Sequence, residues 1–512
     1  MDALWRNPEF IRRARAELRP SRMAIAASVT VILCLLLILI FYHPGDNPGR
    51  STTPDETRFS IFAILISSQA LILCLRCLTS CSQAVASERV LKTFDFLRTT
   101  RLSSWELMLG IVFGAPLMGY FAAACAIPFT LYFGLTAGVF PLAIVVTYLM
   151  MLLVAVVLSL AALTISMKND KPRAGEIFLL LLLLSWPATA VLVGVSNDSR
   201  FPGLTAITVI LGLLPLYHSN AATQFTNPGL HDVPFFGLLV PPLLVSIILY
   251  ASAGAWLILM IVRNLKKDPK DIRLLSRWQA VGFATYVNVL VFALLDLRHP
   301  VPYAPGLAPV SASDISAGYL GLNFLILYAV GLATLTPLAR LKTWWRKSAN
   351  DMRFYWSDDG PPWPWMAASA GVALLLFLLE AAASTRYVPF SDWPLPSLAG
   401  RLLIVLVFAI RDILFLQWCV TKNFKRPVAS GTLYLSLYYF TVSIVAGFLY
   451  QPSLVCFTPV GAFSNSELAP TASVTIGVVL QIGASIFFLS AIRQHLNPPA
   501  PVSPDVVGAP GL

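Results

Sequence analysis

The sequence predicts an all-α, polytopic membrane protein of about twelve transmembrane helices, and three observations carry that prediction. Apolar runs of roughly 20 residues, enough to cross a hydrocarbon core about 30 Å thick, recur from one end of the chain to the other. Only 12% of the 512 residues are charged and the mean hydropathy is +0.74, whereas a soluble domain carries about 25% charged residues. The basic residues are also sorted. Of the 36 lysines and arginines, 28 fall in seven alternate segments (1–22, 82–106, 168–175, 263–277, 340–364, 419–429, 492–512), five fall in the intervening loops, and three lie within apolar runs. By the positive-inside rule that asymmetry places both termini in the cytoplasm. It also accounts for the net charge of +11 without a nucleic-acid partner.

Residues 1–22 read as an amphipathic interfacial helix. Asn7 suits the N-cap, Pro8 the first helical position and Glu9 the first turn. Phe10, Ile11, Ala14 and Leu18 oppose Arg12, Arg13, Arg15 and Arg19, the pattern of a helix lying on anionic lipid. The run from Met23 to Tyr42 is longer than a signal-peptide core and lacks a clear small-residue cleavage site, so it reads as a retained span. Further spans are expected at 60–81, 107–133, 141–167, 176–196 and 234–262. These make residues 23–262 a six-span unit. Residues 203–217 are too short to span and contain Pro215, so 197–233 reads as an outer-face excursion carrying one or two short helices. A basic cytoplasmic linker follows at 263–277, with Ile272, Leu275 and Trp278 at helix-like spacing. A second six-span unit at 278–491 has spans at 278–296, 315–339, 365–384, 399–418, 430–450 and 470–491. The end of the chain, 492–512, reads as a disordered cytoplasmic tail rich in Pro and Gly.

Catalytic motifs are missing. There is no G-x-x-x-x-G-K-[S/T], no Gly-Lys dipeptide, no H-E-x-x-H and no G-x-S-x-G, so the chain carries no phosphate cradle of its own. Cys74, Cys77 and Cys81 share a helical face without a paired ligand cluster and read as packing residues. His43, His218, His231 and His299 fall on the expected outer face without ligand spacing, so no metal site is expected. Charges within spans are functional suspects. Arg76 sits where it can snorkel to the inner surface. Arg411 and Asp412 lie deep in the tenth span, as either a structural ion pair or an ion relay.

The most charged stretch between two apolar runs is 82–106. Val90, Leu91, Phe94, Leu97 and Arg101 fall at helical spacing, with Glu88 and Lys92 as an i,i+4 pair. After a break at Thr99-Thr100, Ser103-Ser104-Trp105-Glu106 reads as a capping box opening the next helix. The order Glu88-Arg89, Thr93-Phe94-Asp95-Phe96-Leu97, Thr100-Arg101-Leu102-Ser103-Ser104-Trp105-Glu106-Leu107 and Gly110 resembles the first cytoplasmic loop of type 2 ABC-transporter permeases. Their pattern runs roughly E-R-E-x-G-T-L-E-L-L-x-x-T-P-L-S-x-W-E-I-x-x-G-K. Here Val90 stands for the second Glu, Lys92 for the Gly, Arg101 for the Pro and Ile111 for the final Lys. Asn7-Pro8-Glu9-Phe10-Ile11-Arg12-Arg13 is similar to their N-terminal elbow helix.

The resemblance covers residues 1–262 and fades beyond. It implies an ABC exporter permease in the cell inner membrane. A coupling helix between spans 2 and 3 would meet an ABC-type ATP-binding subunit through Glu88, Thr93, Phe94, Asp95, Leu97, Leu102, Ser103, Trp105 and Glu106. No cofactor would be bound directly, ATP and Mg being held by that partner. The corresponding second-half loop, Arg340 to Trp363, lacks the motif and is either a degenerate coupling element or an interfacial aromatic belt. Two contacts would then come from a homodimer or a second permease. The alternatives are an ion-coupled secondary transporter using Arg411 and Asp412, and a non-transporting membrane scaffold.

Overall fold

A computed structural model describes residues 6–42, 54–168, 233–236, 238–240, 242–267, 272–294, 312–348, 357–383, 395–422, 427–448, 458 and 471–496. The expected fifth span, nearly all of the outer excursion, the terminal tail from 497, Cys456 and the four outer-face histidines lie outside these residues. The regular elements of the described residues are helices apart from one short hairpin. Among the described residues, seven helices are long and apolar enough to cross a membrane, or eight if one sharply bent pair counts as a single span. The chain is therefore a helical, multi-pass membrane protein. It divides into two compact units, Met1–Leu274 and Leu275–Leu512.

The first unit opens with α1 (Pro8–Glu17) and α2 (Pro20–Phe41). Cys34 is the one residue of α2 that is buried, so this helix presents apolar side chains nearly all round, as a lipid-facing span does. Next is α3 (Pro54–Val90), 37 residues long and so about 55 Å from end to end. That exceeds the hydrocarbon thickness by about 25 Å, and the expected second span and the start of the charged island are one continuous rod. The island continues as α4 (Phe94–Thr99).

The expected third span, 107–133, is two helices, α5 (Ser104–Gly114) and α6 (Leu117–Thr136). Pro116 separates them: Ala115 still has helical backbone and donates to the Ile111 carbonyl, but Pro116 has no N–H to continue the ladder and itself leaves helical geometry, at φ -89° and ψ 18°. Then come α7 (Pro141–Lys168) and a hairpin of β1 (Val233–Phe235) and β2 (Leu238–Val240), with Val233 opposite Val240. The hairpin occupies the start of the expected sixth span, which begins instead with α8 (Pro242–Asn264).

α3 packs along α6 and α7, and α8 lies on α7. Cys74, Cys77 and Cys81 are buried on the inner face of α3, Cys77 beside the Tyr120 hydroxyl. Of the linker, residues 272–276 are not helical. Their apolar spacing leads into a helix start at residue 277 rather than a helix of its own.

The second unit contains α9 (Arg277–Leu294), α10 (Ala312–Ala333), α11 (Leu338–Ser348), α12 (Trp363–Ala383), α13 (Leu395–Thr421), α14 (Pro427–Phe448) and α15 (Thr471–Leu496). α13 is the central strut, touching α10, α12, α14 and α15. The chain bends by 89° between α10 and α11, and buried polar groups fix the bend. Thr336 N–H donates to Gln417 Oε1 at 3.0 Å and Gln417 Nε2 donates back to the Thr336 carbonyl at 2.7 Å. Arg277, 3% exposed, donates to the Thr334 carbonyl at 2.9 Å and to Thr336 Oγ1 at 2.7 Å. In the second-half loop, α11 buries Leu341 and Trp344 in its own unit and carries Arg346 and Lys347 in its last turn.

Candidate functional site

The site is assembled on the first unit, where α1 locks onto the start of α5. Asn7 caps α1 by accepting from the N–H groups of Glu9 and Phe10, and its Nδ2 donates to the Glu106 carbonyl at 2.6 Å. Gly110 and Gly114, four apart on α5, let the two helices touch. A Cβ on Gly110 would sit 2.8 Å from Glu9 Cβ and 3.1 Å from the Phe10 nitrogen, and one on Gly114 would sit 3.0 Å from Arg13 Cβ. Small residues at this spacing allow close backbone approach.

A four-charge cluster seals the junction. Glu9, buried, accepts from Arg12 and from Arg13 at 2.6 Å, and both arginines reach across to Glu88 Oε1 at the end of α3, at 2.6 and 2.8 Å. The Glu9 carboxylate holds the Arg12 guanidinium above its ordinary range; partial burial opposes this and Glu88 adds to it. The Glu88–Lys92 pair expected from spacing does not form. α3 ends at Val90, and Lys92 has φ +57°, a left-handed conformation that an L-residue adopts at a cost. It occupies the position where the permease pattern has Gly.

Beyond Lys92 the loop is anchored on both sides. Thr93 donates its N–H and hydroxyl to the Glu88 carbonyl. Phe94, 2% exposed, plugs a core of Val85, Leu107, Ile111, Leu163 and Leu265, under the Arg89 guanidinium at 5.2 Å. Arg89 itself donates to the Met167 carbonyl at the end of α7 at 2.6 Å. Arg98 donates to the Lys266 carbonyl at 3.1 Å, and Lys266 Nζ returns a bond to the Thr100 carbonyl at 3.2 Å.

The capping box forms as expected. Ser103 N–H and hydroxyl donate to Glu106 Oε2 at 2.7 and 2.8 Å, and Glu106 N–H donates to Ser103 Oγ. These bonds hold the Glu106 carboxyl below its ordinary value. The cap is therefore at full strength above the unfolded-chain value of about 4.3 and is lost as pH falls through the lower folded value.

The residues singled out from sequence thus divide. Glu88 and Phe94 are turned into the unit, so their contribution is internal. Thr93, Asp95, Ser103, Trp105 and Glu106 are exposed, Leu102 is half-buried, and Leu97 lies on α4. The outward apolar surface is made mainly by residues outside that expected contact set, Val90 at 63%, Leu91 at 71% and Phe96 at 73% exposed, together with Trp105 at 46%. Sequence reasoning also missed Arg12, Arg13 and Lys266 as loop anchors. The signal for the arginines, charge complementary to Glu88, was present but 75 residues away.

Of the intramembrane charges, Arg411 and Asp412 are buried on α13. One oxygen of Asp412 accepts from Arg411 Nε at 2.7 Å and from its Nη2, and the other accepts from the hydroxyls of Tyr328 and Tyr439. Arg411 also donates to Gln481 and to Tyr439 and lies over the ring of Tyr438. The network ties α10, α13, α14 and α15 together. Arg76 is exposed on α3. Among the described residues, no group of three or more His, Cys, Asp and Glu side chains is placed to share a metal ion.

No family model matches the chain, and neither a curated protein nor a solved structure matches it.

Proposed function

We propose that the chain is the membrane-spanning permease subunit of an ATP-driven ABC exporter, a twelve-span protein of the cytoplasmic (inner) membrane with both termini inside. ATP and Mg would be bound and hydrolysed by a separate ATP-binding subunit seated on residues 82–106. The observation that carries this reading is the contrast within the loop. Its backbone and inner side chains are clamped to α1, α5, α7 and the end of α8, while Leu91, Phe96 and Trp105 stand out of it into solvent. Apolar groups presented on a rigid mount fit a docking surface. A push there travels along α3, a single 37-residue helix, and along α5 with α1 locked to it.

Co-purification with the cognate ATPase tests the reading. Phe96→Asp and Leu91→Asp, at exposed positions, should abolish capture and ATPase stimulation while leaving the melting temperature of the isolated chain unchanged. Capture and stimulation retained in both variants would sink it. An ion-coupled secondary transporter is the second reading, favoured by the burial of Asp412 at depth. Against it, both Asp412 oxygens already have two donors each. Transport that survives ATP depletion and is abolished by a protonophore would select that reading instead.

A further inference from the structure

A cavity of about 390 Å³ opens between α1 and the α3 face that carries Arg76, Ser80, Gln83 and Ser87. Those four residues follow i, i+4, i+7 and i+11, so they form one polar stripe about 17 Å long. Arg12 and Arg13 from α1 make the opposite wall, and the break after Gly114 lies at the base.

The charges in this cavity are unevenly matched. Arg12 and Arg13 are neutralised by Glu9 and Glu88, and Glu17 faces Arg22 at 3.8 Å. Arg76 is left over. Among the described residues its guanidinium has no hydrogen bond or ion pair, and neither do the Ser80 hydroxyl and the Gln83 amide. The base of the Arg76 side chain is held, because Gly119 lies so close that a Cβ there would sit 2.9 Å from Arg76 Cβ.

An uncompensated cation on an apolar helix needs an anion or water. Here it is joined by a hydroxyl and an amide, both able to donate, beside a helix of interfacial character. The planar guanidinium fork matches phosphate oxygens, and the volume lies in the range of small-molecule sites.

We propose that this cavity is a phosphate-binding site, with Arg76 as the charged ligand and Ser80 and Gln83 as neutral donors, filled by a phospholipid headgroup or by a soluble phosphate. The site stands whether or not the chain couples to an ATPase.

The full chain in maltoside micelles is titrated with phosphatidylglycerol, with phosphate-free diacylglycerol, and with inorganic phosphate. Binding is read by native mass spectrometry and thermal shift. Phosphatidylglycerol is expected to bind saturably and diacylglycerol not. Arg76→Gln should weaken binding roughly tenfold or more, as loss of a charge-assisted bond does, while Arg101→Gln, on the exposed loop, leaves it unchanged. Gln83→Leu, which keeps the charge, should weaken binding by a smaller factor and serves if Arg76→Gln fails to fold. Arg76-dependent binding of inorganic phosphate, with none of the lipid, supports the site and assigns it a soluble ligand. Phosphatidylglycerol binding unaffected by either variant, equal binding of diacylglycerol, or binding of neither phosphate overturns the proposal.

Discussion

Arg12 and Arg13 are neighbours that touch the same two carboxylates, yet they are unequal. The Arg13 side chain is 14% exposed and the Arg12 side chain 54%, against 1% for Glu9. Removing one partner from a buried charge cluster strands the others and costs about 3 kcal/mol, whereas a half-exposed pair is worth less than about 1 kcal/mol. Arg13→Ala should therefore raise hydrogen exchange over residues 8–17 by roughly a hundredfold, and Arg12→Ala by a few-fold at most. Equal effects from the two substitutions would show that the cluster does not hold α1. Local chemistry at this scale was legible in the sequence. The Asn7 cap and the Ser103–Glu106 box each close within three residues, so spacing alone specifies them. The partners of Glu88 were not legible, because i,i+4 spacing offers Lys92 and only the tertiary fold brings Arg12 and Arg13 across. The left-handed backbone at Lys92 then turns that local candidate away.

Among elements, the docking of α1 on α5 depends on what two positions lack. A side chain at Gly110 would meet Glu9 and the Phe10 backbone, while at Gly114 it would meet the more yielding Arg13 side chain. Overpacking a close helix contact costs about 1–3 kcal/mol, so Gly110→Val should displace α1 and open the Arg13–Ala14 bond to trypsin, Arg13 being ion-paired and 14% exposed in the docked helix, and Gly114→Ala should do so far less. Cleavage at the wild-type rate in Gly110→Val would mean that α1 is held by its charges alone. The sequence located α1 and its cap because the amphipathic period is strong. It placed helix ends less well: α3 runs past 81 to Val90 because nothing in Ser82–Val90 breaks a helix, and apolar composition hid the division at Pro116. Exposed and buried faces of α4 were also not separable, since a six-residue helix shows too few turns for a period to point. Phe94 and Phe96 look alike in sequence, and only packing decides that one fills the core and the other faces out.

For the whole molecule, the two units differ where a partner would sit. The first presents an anchored loop with outward Leu91, Phe96 and Trp105. In the second, the helix at the corresponding place, α11, turns Leu341 and Trp344 into its own unit beside Leu414 and Ile492, and its last turn is basic rather than apolar. A dimeric ATPase requires two equivalent mounts, because a closed two-fold assembly repeats the same patch. In the proposed reading those mounts come from two chains, each contributing residues 82–106, and α11 serves as an interfacial helix. Mass photometry of the purified transporter should give two permease chains for every two ATPase chains, and Phe96→Asp should abolish the whole complex rather than half of it. One permease chain bound to two ATPase chains would overturn that stoichiometry. The second contact would then have to lie in the second unit, and charge reversal at Arg346 and Lys347 on α11 should remove one ATPase chain and leave the other.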